Sequence, residues 1–166
     1  MMRSKWILLL LYGVAIAQLA WLYPQMPARL ATHYDGAGAP NGWMTRDGAI
    51  EFHLAILGVT ALAFVALPVL LGRLSPTLIN IPNREYWLAP ERRAATVAAL
   101  RNWMAFLGCG AVALMIAITQ LNFQANLRSE PKLSSTALVA CVGAFLLYMG
   151  GWIFALHRRF PKPQRT

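Results

Sequence analysis

Met26–Arg46 reads MPARLATHYDGAGAPNGWMTR. It is a long polar passage between two strongly apolar runs, Trp6–Tyr23 and Ile50–Gly72. Connections in compact domains are usually about 4–6 residues long, so a loop over 24–49 predicts a self-packed or functional element. Gly36, Gly38 and Gly42 allow backbone angles closed to other residues, and Pro40-Asn41-Gly42 is a turn signal. Trp21, Tyr23 and Trp43 suit a lipid headgroup layer, where an aromatic body meets a polar tip.

Working outward, two further apolar runs follow, Trp103–Leu121 and Ser134–Leu156. Each run has about the 20 residues that a hydrocarbon core about 30 Å thick requires. Composition agrees. Of 166 residues 58% are hydrophobic and 13% charged, and the mean hydropathy is +0.48, against about 25% charged in soluble domains. Ala15-Ile16-Ala17 mimics a signal-peptide cleavage site, but the first run is too long for an h-region, and a retained span is expected. The expected fold is all-α, an integral membrane four-helix antiparallel bundle forming one domain over 1–166. Its spans are 6–23, 50–72, 103–121 and 134–156, with an extracytoplasmic capping loop over 24–49 and a cytoplasmic loop over 73–102.

Orientation follows from the basic residues. One side holds Arg3, Lys5, Arg73, Arg84, Arg92, Arg93, Arg101, Arg158, Arg159, Lys162 and Arg165, and the other holds Arg29, Arg46, Arg128 and Lys132. The positive-inside rule places both termini in the cytoplasm of a bacterial inner membrane. The net charge of +9 is then a matter of topology and attraction to anionic membrane lipid, and no nucleic-acid partner is expected.

Local signals place the helix ends. Thr45 or Asp47 caps the second span, Ser134 or Ser135 the fourth, and Glu51 suits the positive end of a helix. Pro68 should kink the second span. Pro90 opens a helix at a position where a missing N–H costs nothing, with Glu91 in its first turn. That helix should run unbroken into the third span. Ala105, Cys109, Ala113 and Ala117 form a small-residue stripe, as do Ala137 with Cys141 and Ala140 with Ala144, and such stripes allow close helix approach in lipid. Cys109 and Cys141 fall near opposite faces, so free thiols are expected.

The polar passage also resembles a known module. Met26-Pro27-Ala28-Arg29-Leu30-Ala31-Thr32-His33-Tyr34-Asp35, then Gly38, Pro40-Asn41, Trp43 and Thr45-Arg46, resembles the uncharacterised N-terminal module of SdpI-like bacterial membrane proteins. That family is named for an immunity protein against a secreted sporulation-delaying toxin. Asn80–Arg93, NIPNREYWLAPERR, is similar to the cytoplasmic motif that accompanies the module in small relatives. The pattern of the immunity protein's second membrane module is not found here. Toxin immunity and sequestration of a partner are what the resemblance implies for a cousin.

Candidate functional residues form three groups. His33, Tyr34, Asp35, Gly38, Pro40, Asn41 and Trp43 belong to the outer loop as a binding surface. Gln18, Glu51, His53 and Gln120 form an outer polar cluster. The two glutamines are expected to hydrogen-bond between helices, because an unpaired amide in lipid is costly. Asn83, Arg84, Tyr86, Trp87, Arg92 and Arg93 carry the cytoplasmic motif, its aromatics at the headgroup layer and its arginines, with Arg101, facing lipid phosphates or a partner. His33 and His53, with Asp35 or Glu51, have the chemistry of a divalent-metal site, although Glu51 and His53 are two apart and point to different helix faces. No cofactor other than such a metal is expected, and no nucleophile elbow, P-loop or dinucleotide fingerprint occurs. These features favour a non-enzymatic sensor, immunity-type or partner-binding protein whose partner is another membrane protein or a peptide. An accessory subunit of a larger membrane complex is the alternative, and a small metal-dependent membrane enzyme or transporter the second.

Overall fold

A computed structural model describes residues 3–161. Lys162 and Arg165, both assigned to the cytoplasmic side above, lie outside the described residues. Four helices are long and apolar enough to cross a membrane. They are α1 (Arg3–Leu22), α2 (Arg46–Leu70), α4 (Pro90–Asn126) and α5 (Ser135–Arg159), and α3 is a single turn, Arg84–Trp87.

The all-α expectation is corrected at the polar passage. Residues 26–46 contain a β-hairpin, with β1 (Arg29–Tyr34) antiparallel to β2 (Pro40–Thr45). The register slips on either side of His33, which pairs with Gly42. The tight end is built by Asp35, whose carboxylate accepts from the N–H groups of Ala37 and Ala39, both at 2.9 Å, an Asx-type arrangement that makes a turn without helical bonding. Gly38 has φ +81°, and a Cβ there would overlap the Leu133 carbonyl. Glycine is therefore required twice over.

The anticipated caps are in place. The Thr45 hydroxyl accepts from Gly48 N–H at 3.1 Å and the Ser134 hydroxyl from Ala137 N–H at 3.3 Å. Pro90 opens α4, which runs 37 residues without interruption, about 55 Å at 1.5 Å per residue. That exceeds a hydrocarbon core, so several turns project beyond it. In α2 the disturbance ahead of Pro68 is a five-residue π-helical segment, Leu62–Ala66. Pro68 has no N–H to continue the ladder.

Successive long helices alternate in direction. Ser4 and Gln18 of α1 meet Asn102 and Gln120 of α4, so α1 and α4 run parallel, with α2 returning beside them. The central core is one stripe of α1 (Leu8, Tyr12, Ala15 and Leu19) against Leu57 of α2 and Ala105 and Val112 of α4, spaced as one helix face requires. The last helix is attached differently. The small-residue stripes of α4 and α5 do face each other, but Cys109, Ala113, Ala117, Cys141 and Ala144 line an open groove of about 450 Å³. No residue of α5 is buried, so α5 lies against α4 rather than completing a closed four-helix bundle. Both cysteines are free thiols.

A second cluster, Ile79, Ile81, Leu88, Leu100 and Phe160, packs the residues between α2 and α4 against the end of α5. It lies at the end of the bundle away from the hairpin.

Candidate functional site

The hairpin is bolted to the helices at two points. At the first, the Asn126 side chain in the last turn of α4 behaves like the edge of a third strand. Its Oδ1 accepts from Ala31 N–H at 2.8 Å and its Nδ2 donates to Ala31 C=O at 2.9 Å. Ala31 is fully buried and Asn126 is 7% exposed, so these bonds satisfy groups that water cannot reach. The same amide lies 3.1 Å from the Tyr34 hydroxyl and 2.9 Å from Asn122 Oδ1. At the second point, Leu133 N–H donates to Gly38 C=O at 3.0 Å, tying the hairpin end to the connection between α4 and α5.

Docked in this way, the hairpin roofs a pocket of about 300 Å³. Its lining combines Thr32, His33 and Met44 of the hairpin with Phe52, His53 and Ile56 of α2 and Met115, Thr119 and Asn122 of α4. The volume is at the lower end for small-molecule sites, and the mixture, mostly apolar with a few convergent polar groups, is the one such sites use. His53 Nδ1 donates to Ala49 C=O at 2.7 Å. That bond fixes the proton on Nδ1 of the neutral ring and leaves Nε2 as the acceptor. His53 also borders a void of about 10 Å³ with Gln18 and Thr119, near the lower limit for one water. Beside it, Gln18 Nε2 donates to Gln120 Oε1 and to Ile116 C=O, both at 3.1 Å, the inter-helix bond expected of two glutamines in apolar helices.

Of the seven outer-loop residues singled out by sequence, only His33 lines the pocket. Asp35, Gly38 and Pro40 shape the hairpin, and Tyr34 pins it through its hydroxyl, which donates to Ala31 C=O at 3.2 Å. Burial pushes the Tyr34 phenol above its ordinary range, opposed by the hydrogen bond from Asn126. Asn41 and Trp43 are exposed, with the Arg29 guanidinium 6.0 Å from the Trp43 ring. The two candidate metal ligands, His33 and His53, do meet at one pocket, but Asp35 is engaged at the turn and Glu51 is exposed outside the lining. Among the described residues no group of three or more His, Cys, Asp or Glu could hold a metal ion. Thr32, Met44, Phe52, Thr119, Asn122 and Asn126 were not anticipated. Asn122 and Asn126, four apart at the end of an apolar helix, were the available signal.

At the opposite end Arg84, Arg92, Arg93 and Arg101 each donate to backbone carbonyls. Arg93 donates to Gly72 C=O at 3.3 Å and Leu74 C=O at 2.5 Å. Arg101 donates to Pro68 C=O at 3.0 Å and Val69 C=O at 2.7 Å. Both cations thus donate to carbonyls where α2 ends, of which that of Pro68 also accepts from Leu71 N–H, and they sit at the helix's negative pole. Arg92 lies 3.9 Å from the Tyr86 ring and donates to Tyr86 C=O at 2.8 Å, and Arg84 donates to Thr77 C=O at 3.3 Å. Asn83 takes a left-handed conformation, φ 53°, and its Nδ2 donates to Phe160 C=O at 3.2 Å. Trp87 stacks edge-on against Phe160 and donates to Pro161 C=O at 3.3 Å. It is half-buried against the second cluster.

The hairpin and both helices that flank it can be compared with known families. Residues 7–59 match the family model described as a domain of unknown function, DUF1648. The match runs from α1 through the hairpin into α2, so it includes the roof and one wall of the pocket and leaves out α4 and α5. No curated protein and no solved structure matches the chain.

Proposed function

We propose that this is a non-enzymatic multi-pass protein of a bacterial inner membrane, kin to the SdpI-like proteins, that binds a small molecule or short peptide segment under its β-hairpin. The observation that supports this most is the pocket itself. A hairpin held at Ala31 and Gly38 encloses about 300 Å³ between two histidines, Thr119 and Asn122. Two strands alone are marginal in water, so clamps at both points argue for a roof kept in a fixed position.

The charge distribution supports N-in/C-in orientation. Among the described residues the hairpin end carries four basic residues (Arg29, Arg46, Arg128 and Lys132), whereas the other end carries nine (Arg3, Lys5, Arg73, Arg84, Arg92, Arg93, Arg101, Arg158 and Arg159). That excess of Lys and Arg at the end away from the hairpin is what the positive-inside rule associates with the cytoplasmic face.

The test is extraction of small molecules and peptides from protein purified in mild detergent, analysed by mass spectrometry beside Thr32→Trp, which fills the pocket from the hairpin. The reading expects a species retained by wild type and missing from the variant. Identical extracts from the two would contradict it. A second reading, membership of a larger membrane complex, draws on α5, whose apolar face with Val139, Leu146, Leu147 and Phe154 is exposed. A discrete partner retained by wild type and lost from Leu147→Arg would favour it.

A further inference from the structure

We infer that the cleft between the start of α1, the π-wound part of α2 and the facing turns of α4 is a binding site for an anionic phospholipid. It is separate from the hairpin pocket and lies at the other end of the bundle. The cleft has a volume of about 410 Å³, within the usual range for ligand sites. Its lining combines the polar Lys5, Arg101 and Asn102 with apolar residues, the buried Pro68, the half-buried Phe64, Val65 and Ala98, and the more exposed Trp6 and Val69.

Three independent features fit an anionic headgroup on an acyl chain. First, the cations have no counter-charge among the described residues. The ion pair found among the described residues is Arg46 with Asp47 at the hairpin end, so neither Lys5 nor Arg101 has a described carboxylate within reach. Second, Arg101 is held in place. Its Nε and one Nη2 proton are spent on Pro68 and Val69 carbonyls, which leaves three of the five guanidinium protons on a fixed fork, the geometry that suits phosphate. Asn102 accepts from the Ser4 hydroxyl, which leaves its amide N–H groups as further donors beside the two cations.

Third, the backbone opens where the cleft lies. Phe64 and Val65 belong to the π-helical segment, and Pro68 and Val69 follow directly. A π-turn widens the helix and is frequent at functional sites, and Pro68 prevents the regular ladder from closing behind it. The donors sit within a turn of the hydrophobic boundary: Lys5 opens α1, and Arg101 precedes the third apolar run. That is where a phosphate lies when its chain enters the bilayer. A free phosphate ion would leave the apolar lining uncovered, which is why a lipid is assigned.

The test uses the full chain in detergent with equal amounts of phosphatidylglycerol and phosphatidylcholine of identical acyl chains, and native mass spectrometry to count retained lipid. Wild type should retain the anionic lipid in preference. Lys5→Gln, an exposed position, should lower that retention about fivefold, the effect of one basic residue near the surface, without changing phosphatidylcholine. Ala98→Phe, which fills the cleft and leaves both cations, should abolish the preference, and excess inorganic phosphate should not displace the lipid. Equal retention of both lipids, no response to Lys5→Gln, a preference that survives Ala98→Phe, or displacement by inorganic phosphate would each overturn the assignment. None of these changes touches the hairpin pocket, so failure here leaves the reading of that pocket standing.

Discussion

Replacing Asn126 by leucine should undock the hairpin while leaving the helices intact. The substitution keeps the size of the side chain and removes both bonds to Ala31, whose N–H and C=O are out of reach of water in the docked state. The Ala31 carbonyl keeps the Tyr34 hydroxyl as a donor, so the N–H is the group left unpaired, at a cost of about 1–3 kcal/mol. Undocking restores it to solvent, so the loss is capped by the docking free energy. At about 1.4 kcal/mol per tenfold, backbone exchange in peptides covering residues 29–45 should accelerate roughly 5- to 140-fold. Hydrogen-exchange mass spectrometry on the protein in lipid nanodiscs reads this directly, with peptides from α5 as an internal reference. Asn122→Ala is the control. It removes one of four acceptors around the same amide, the others being the carbonyls of Asn122 and Ala31 and the Tyr34 hydroxyl, and should change exchange by about twofold at most. Unchanged protection of 29–45 in Asn126→Leu would refute the clamp.

Gly38→Ala should break the second attachment, because the new methyl would overlap the Leu133 carbonyl in a left-handed backbone. A cost of about 1–2 kcal/mol or more is expected, read as faster exchange at residues 132–136. Arg93→Gln should lower thermal stability in detergent by about 1–2 kcal/mol, since a charged donor to the Gly72 and Leu74 carbonyls is lost, whereas Arg92→Gln, at an exposed aromatic stack, should cost about 0.5 kcal/mol. Equal effects would show that capping the end of α2 is not what Arg93 does. Tyr34 gives a pH signature. Its folded-state phenol is raised by burial, so its contribution to stability is complete below the unfolded value of about 10 and is lost as pH rises beyond it. Hairpin protection measured from neutral to strongly alkaline pH should therefore fall more steeply above about pH 10 in wild type than in Tyr34→Phe.

The sequence was most informative where a residue acts on its own neighbourhood. Thr45, Ser134 and Pro90 each mark a helix end through bonds made or omitted within one turn, so those ends could be read without knowing the fold. Gln18 and Gln120 were legible because lipid leaves an amide few alternatives. The hairpin was not. Its strands are short, interrupted at His33 by a slipped register and set between two membrane-length runs, so they read as loop. Asn126 was missed, and the carbonyl partners of Arg93 and Arg101 were not foreseen, for a common reason: these partners are backbone groups of distant residues, and no residue type marks them. The metal reading rested on two histidines that do share a pocket. The spacing that turns Glu51 away from His53 was already visible in the sequence.

The account depends on four membrane spans with the hairpin facing away from the cytoplasm. Single cysteines introduced as Ala37→Cys at the hairpin end and Glu85→Cys at the arginine-rich end, with Cys109 and Cys141 replaced by alanine, can be probed in intact cells with a membrane-impermeant maleimide. The account predicts labelling of the Ala37→Cys protein in intact cells and of the Glu85→Cys protein only after the membrane is opened. The reverse pattern, or labelling of both in intact cells, would contradict it.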